Sequence, residues 1–201
     1  MDNQISNTKL AELILALNDA NKIVRWQAAY KLGQLGDERA IEPLINMLCR
    51  DPEWEPRCGA AYALQGFNNP RTISSLILAL EDKNSYVRQA AVITLGEIGD
   101  VQAIEPLIQA FNDNDRIVAQ EIPDALALIG ELAILPVINA LNNGTLSQFW
   151  AALTLGKFGD QGALQALILM QRNHNDQKFE SETTAVVIAE AIKRIKQPLK
   201  N

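Results

Sequence analysis

Histidine and cysteine are nearly absent from this chain: 201 residues contain one histidine, His174, and two cysteines, Cys49 and Cys58. Two cysteines cannot make a disulfide framework, and a structural zinc site built from four cysteines, or from two cysteines and two histidines, lacks its ligands. His174 stands in a polar stretch, QRNHNDQ, so a histidine-based triad or dyad would rest on one unsupported residue. No apolar run approaches the ~18 residues of a membrane-spanning helix. The N-terminal MDNQISNTK is polar where a secretory leader is basic and then apolar, so a cytoplasmic location without membrane insertion is expected. Basic residues are the minority charge, 18 against 24 acidic for a net charge of −6, and they are scattered, which disfavours a nucleic acid partner. Walker loops, dinucleotide fingerprints, EF-hands, HExxH and GxSxG are also missing. Aromatics make up only 5% of the chain, and Ala, Leu and Ile dominate the apolar set, a bias suited to close helix packing.

What the chain does have is a repeat. Asn21 to Leu48 (NKIVRWQAAYKLGQLGDERAIEPLINML) aligns with Asn84 to Phe111 (NSYVRQAAVITLGEIGDVQAIEPLIQAF). Glu55 to Leu80 follows the same frame with Asn68-Asn69 in place of Gly-Asp, and weaker copies run from Arg116 to Leu141 and from Ser147 to Met170. Arg25, Arg57 and Arg88 stand about thirty residues apart, as do Ala103, Ala133 and Ala163. Val24, Ala28, Leu32 and Leu35 recur at helical spacing in the first half of a copy. In the second half Pro43, Pro106 and Pro136 fall near a helix start, where a missing N–H is tolerated. Gly36, Gly99 and Gly159 stand where a helix ends in the left-handed conformation, and the Asp that follows can accept N–H bonds as the next helix begins.

Each copy therefore reads as a helix hairpin, and a hairpin of about thirty residues can bury its apolar face only against the next one. The expected architecture is all-α, a single right-handed α-α superhelix over residues 1–201. Its repeats are 19–50, 51–81, 82–112, 113–142 and 143–171, between a cap helix at 8–17 and another at 182–195. Ser181 is the candidate N-cap of the last helix, and Lys193, Arg194 and Lys196 suit the negative end of its dipole.

The frame D-x5-R-x2-AA-x2-LG-x-IGD-x2-AI-x-PLI-x-AL resembles the HEAT repeat in its short, phycobilisome-lyase variety, over roughly Asp19 to Met170. In such repeats, Asp19 and Arg25, Asp51 and Arg57, and Asp82 and Arg88 would form a structural ladder, the acid capping the inter-repeat turn and bonding to neighbouring units. The fourth copy keeps Asp113 but carries Ala119 at the arginine position. Pro123 falls inside the first helix of that copy, which must start late or kink.

If the Val-Arg helix lines the inner face, as the resemblance implies, the positions one, two, five and six after the arginine are exposed there. Trp26, Tyr30, Tyr62, Phe149 and Trp150 fall on those positions, close to half of the chain's aromatics, with Glu121 and Asp124 among them. Such a face suits a flat conjugated molecule carrying N–H groups or a partner helix, while the same rings filling gaps between repeats is the structural alternative. Cys58, beside Arg57 near a helix start, is a candidate nucleophile with a lowered pKa; Cys49 reads as a small core hydrophobe.

Length, repeat number and acidity make the chain similar to the smaller subunit of E/F-type phycobilin lyases. The resemblance implies a subunit that pairs with a second HEAT-repeat chain and attaches an open-chain tetrapyrrole, such as phycocyanobilin, to a cysteine of a phycobiliprotein subunit. The bilin would be the substrate, with no tightly bound cofactor and no metal. Trp26, Tyr30, Tyr62, Phe149 and Trp150 would hold it, and Glu121 or Asp124 would accept its pyrrole N–H groups or protonate it. The His-Cys pair of isomerising members is absent, since Asn175 follows His174. A homologue that acts in phycobilisome degradation or detaches bilins, and a non-enzymatic HEAT scaffold, are the alternatives.

Overall fold

The computed structural model describes the backbone at residues 2–159, 161–176 and 182–196, and side chains at 7–159, 161–172 and 182–196. Ser181 and the side chain of His174 lie outside the described residues. Every regular element among the described residues is helical. Along the chain the helices come in five sequential pairs, one per repeat: α2 (Lys22–Leu35) and α3 (Ile41–Arg50), α4 (Trp54–Ala63) and α5 (Pro70–Ala79), α6 (Ser85–Ile98) and α7 (Ile104–Gln109), α8 (Arg116–Ile129) and α9 (Ile134–Asn142), and α10 (Gln148–Phe158) and α11 (Gln161–Asp176). They are flanked by α1 (Asp2–Ala16) and α12 (Glu182–Lys196). The first helix begins at Asp2, not at Thr8. Its leading turns carry no apolar stripe, but Leu10 is buried, and a helix anchored there extends backward at one hydrogen bond per residue.

The chain divides into two compact units, Met1–Ala103 and Ile104–Asn201. In the first, the Val-Arg helices pack side by side, α2 on α4 and α4 on α6, with α3 and α5 behind them. Ala28, Ala29, Ala60, Ala61, Ala90 and Ala91 are fully enclosed or nearly so, and Leu32, Leu44, Leu64, Leu76 and Leu95 fill the space between layers. Each such Leu contributes about 1.5–3 kcal/mol by its removal from water. The approach of α2 to α4 is close enough that a Cβ on Gly33 would lie 2.8 Å from the Cα of Ala63. In the second unit α10 packs on α8 and α12, around Ile122, Leu126, Leu155 and Ile188.

The turns follow from local chemistry. Gly36 and Gly99 end α2 and α6 at φ +65° and +73°, and their N–H groups donate to the carbonyls of Leu32 and Leu95. Asn21, Asn84 and Asp115 cap the helices that follow them by accepting from the N–H two residues on. Pro43 lies in the first turn of α3, behind a single 3-10 turn at Glu38–Ala40. Pro123 does not delay the start of α8, which runs from Arg116 to Ile129 with the buried ring inside it. The proline leaves the Ala119 carbonyl without its helical donor, and burial of the ring in the second unit's core offsets the loss.

Arginine links successive turns in the first unit. Arg25 donates from Nε and Nη2 to the two carboxylate oxygens of Asp51 at 2.6 and 2.8 Å, and from Nη1 to the Asp19 and Ala20 carbonyls. Arg57 repeats the pattern on Asp82 at 2.7 and 2.8 Å and on the Asp51 and Pro52 carbonyls. Each arginine thus binds the backbone of its own turn and the carboxylate of the following one. The carboxylates also accept turn N–H groups, Asp51 from Glu53 and Asp82 from Asn84.

Candidate functional site

A groove of about 630 Å³ crosses the Val-Arg helices of the first unit. Trp26, Tyr30, Gly33 and Gln34 come from α2, Gly59, Tyr62 and Ala63 from α4, Gln65 and Gly66 from the turn after it, and Glu97 from α6. Trp26, Tyr30 and Tyr62 are 42%, 52% and 42% exposed, far more than a structural role in the core would leave. The Trp26 and Tyr30 rings lie one helical turn apart, nearly parallel at 6° with centroids 5.9 Å apart, and Gln34 donates to the Tyr30 hydroxyl at 2.8 Å. Glycine makes the floor. A Cβ at Gly59 would meet Trp26 Cδ1 at 2.5 Å, while one at Gly66 would meet only the Gly33 carbonyl oxygen, at 3.7 Å.

Trp26 also walls a second hollow of about 410 Å³, lined by Lys22, Ile23, Trp54, Glu55 and Cys58. Lys22 is paired there with Glu55, which raises the lysine's pKa and lowers the carboxyl's. Trp54 stacks on Tyr86 with centroids 5.1 Å apart, and both rings are exposed.

The structure brings together only part of the expected constellation. Trp26, Tyr30 and Tyr62 share one groove. Phe149 and Trp150 belong to the second unit, half-buried, where Trp150 packs on the buried Phe111 at 5.3 Å and Phe149 edges onto Trp150 at 5.0 Å. In that pairing they fill space between hairpins. Asp124, also in the second unit, is exposed and paired with Lys157 at 2.6 Å, and Glu121 is half-buried. Several positions expected on the surface are enclosed: Gly59, Ala63, Ala90, Thr94, Ala125 and Thr154 are buried, because neighbouring Val-Arg helices lie directly against one another.

Sequence reasoning missed Glu97, Trp54 and Tyr86. Glu97 occupies the same place in its repeat, counted from Arg88, as Gln34 and Gly66 do from Arg25 and Arg57, and that register is the signal that finds it. Trp54 and Tyr86 precede the arginines, at helix starts that the inner-face pattern did not include.

Both cysteines differ from expectation. Burial pushes the Cys58 thiol up to about 11, not down, and its Sγ lies 3.7 Å from the Tyr86 carbonyl as a weak donor. The helix-start position does not prevail over desolvation, so the group is a thiol at neutral pH. Cys49, near the end of α3, is exposed and not in the core. No group of His, Cys, Asp and Glu suited to a metal ion occurs among the described residues, and none of their helices is long and apolar enough to cross a membrane.

The stacked hairpins, the alanine pairs and the arginine-linked turns agree with a match to the family of HEAT repeats over residues 10–77, 41–127 and 73–147. The chain belongs to the HEAT-repeat family. This HEAT-repeat protein is 29% identical to Protein YibA of Escherichia coli (strain K12) over 125 residues, covering 61% of this chain and 44% of YibA. The chain thus spans less than half the length of that relative. The bilin biosynthesis protein PecE of Nostoc sp. (strain PCC 7120) is 24% identical over 189 residues, 78% of this chain and 70% of PecE. Among solved structures, the complex of CpcE and CpcF of phycocyanin lyase from Nostoc sp. PCC7120 shares the fold, with a TM-score of 0.56 at 19% identity over 91% of this chain and 93% of the matched one.

Proposed function

We propose that this chain is a bilin lyase subunit, which holds an open-chain tetrapyrrole and works with a second HEAT-repeat chain to attach it to a cysteine of a phycobiliprotein subunit. One observation carries this reading: exposed, parallel aromatic faces over a glycine floor, in a chain with a bilin biosynthesis protein as relative over 78% of its length. Trp26, Tyr30 and Tyr62 offer ring faces to a planar conjugated ligand, and the groove volume lies in the range of small-molecule sites. In the transfer step the acceptor's sulfur adds to the ethylidene carbon of the bilin. The carbon–carbon double bond opens, a proton is taken up by the bilin, and nothing leaves. This chain's part is to hold the bilin in place while the acceptor supplies the nucleophile, since Cys58 is held as a thiol.

A partner chain is favoured by the fourth hairpin. Leu128, Leu132 and Leu135 are exposed, the last two at 69% and 64%, where the first hairpin carries Gln34, Arg39 and Glu42. The test mixes the purified chain with phycocyanobilin, alone and with a second HEAT-repeat lyase subunit, and records the visible spectrum before adding a phycobiliprotein apo-subunit. A band shift, followed by colour that stays with the acceptor after denaturation, is the expected result. Absence of any shift under both conditions removes the bilin reading and leaves a protein-binding scaffold.

A further inference from the structure

Resting on the bilin reading, we infer that the first unit's groove grips the tetrapyrrole by its ring faces and nitrogen edge, with Glu97 as the acceptor, and leaves its two propionate side chains in solvent.

The groove's chemistry is one-sided. Its described lining offers three aromatic rings, the carboxamides of Gln34 and Gln65 and the carboxylate of Glu97, with no Lys or Arg. Cations nearby are engaged elsewhere: Arg25 on Asp51, and Lys22 on Glu55 in the adjacent hollow. Lys31 follows Tyr30 on α2 but does not line the groove. Aromatic faces carry negative quadrupole density, so a carboxylate brought against them and Glu97 would lose water and meet repulsion, offset by neutral N–H and O–H donors alone. Pyrrole N–H groups have the opposite preference. They donate to a carboxylate in charge-assisted bonds, and a protonated, delocalised tetrapyrrole also gains from stacking on Trp26 and Tyr30.

The repeat register shows how the space arises. Gln34, Gly66 and Glu97 occupy equivalent places in successive copies, so the middle copy removes a side chain between an amide and a carboxylate. A Cβ at Gly66 would make only an ordinary contact, so a long side chain there fills the groove without forcing helices apart.

The experiment titrates the full chain with phycocyanobilin and with its dimethyl ester, following the visible band, for the natural protein and for Glu97→Gln and Gly66→Met, each checked for native helicity. The ester is expected to bind within about threefold of the free acid. Glu97→Gln is expected to weaken both by about tenfold, the size of one hydrogen bond to a charged group, with the band of bound pigment shifted toward that of the neutral form. Gly66→Met is expected to abolish both. Binding of the acid with loss of the ester would show that the propionates are recognised and overturn the inference. So would unchanged titrations in Glu97→Gln or Gly66→Met. Absence of binding by either pigment to the natural chain, alone or with a second lyase subunit, fails the bilin reading itself, and is thereby told apart.

Discussion

The indole of Trp26 lies over the one residue of α4 that has no side chain to oppose it: a Cβ at Gly59 would stand 2.5 Å from Cδ1 and 2.9 Å from Nε1. A glycine on one hairpin thus sets where an exposed ring on the previous hairpin rests. Gly59→Ala should leave the fold intact, because the opposing atoms belong to a side chain 42% exposed that can swing away. The expected loss of stability is about 1 kcal/mol. Tryptophan emission should change as Trp26 leaves its seat, and bilin binding should weaken. Unchanged emission and binding would show that the seat is irrelevant to the site.

Gly33 and Gly66 both line the groove yet should respond oppositely to the same substitution. At Gly33 a Cβ meets the Cα and carbonyl oxygen of Ala63 at 2.8 and 2.9 Å, and backbone cannot step aside without separating α2 from α4. Gly33→Ala is expected to cost about 1–3 kcal/mol in a urea titration. Gly66→Ala, with one contact at 3.7 Å, is expected to change the midpoint little.

Arg57 is almost wholly enclosed and holds the carboxylate of Asp82 by two bonds. Arg57→Met should destabilise by about 3 kcal/mol, since a half-buried carboxylate loses its partner. Burial alone would raise the Asp82 pKa, but the Arg57 bonds, the Asn84 N–H and the guanidinium charge outweigh it and hold the pKa below its ordinary 3.8. The folded value being the lower one, the stabilisation is fully present above 3.8 and is lost as pH falls through the folded value. Asp37, held at about 2 by Arg39, acts in the same direction. Urea midpoints should therefore be level near neutrality and fall below about pH 4. The fall should be smaller in Arg57→Met.

The two thiols should react at separable rates. Cys49 is exposed, whereas Cys58 is half-buried with its pKa near 11, so a thiol-specific reagent at pH 8 should label one site quickly and the other slowly. Cys49→Ser should remove the fast phase. Cys58→Ser should leave bilin transfer unchanged, and a transfer defect in that variant with folding retained would restore the cysteine as a nucleophile.

Helix pairing, the terminating glycines and the linking arginines were legible in the sequence because each depends on residues close in the chain or recurring at the repeat interval. Gly36 and Gly99 have the positive φ that their places after α2 and α6 call for. The site was less legible. Trp26, Tyr30 and Tyr62 were found from register together with the inner face that the resemblance implies, yet register could not tell an exposed ring from one that leans on a neighbour, and Trp150 leans on Phe111. Nor could it give the protonation of Cys58, which depends on how much protein surrounds the sulfur.

The amino-acid order by itself determined that this protein is a stack of helix hairpins, because no hairpin of its length can bury its apolar stripe alone. Tertiary packing decided which surface residues meet. The close approach of α2, α4 and α6 encloses four of the twelve positions that periodicity left open on them, Gly59, Ala63, Ala90 and Thr94, and it brings Glu97 to a groove floored by glycines of two other repeats. Helical periodicity reports the direction of a side chain about its own axis. Whether that direction ends in solvent or against the next helix is set by the distance between helices, and here that distance rests on the glycine and alanine contacts between neighbouring repeats.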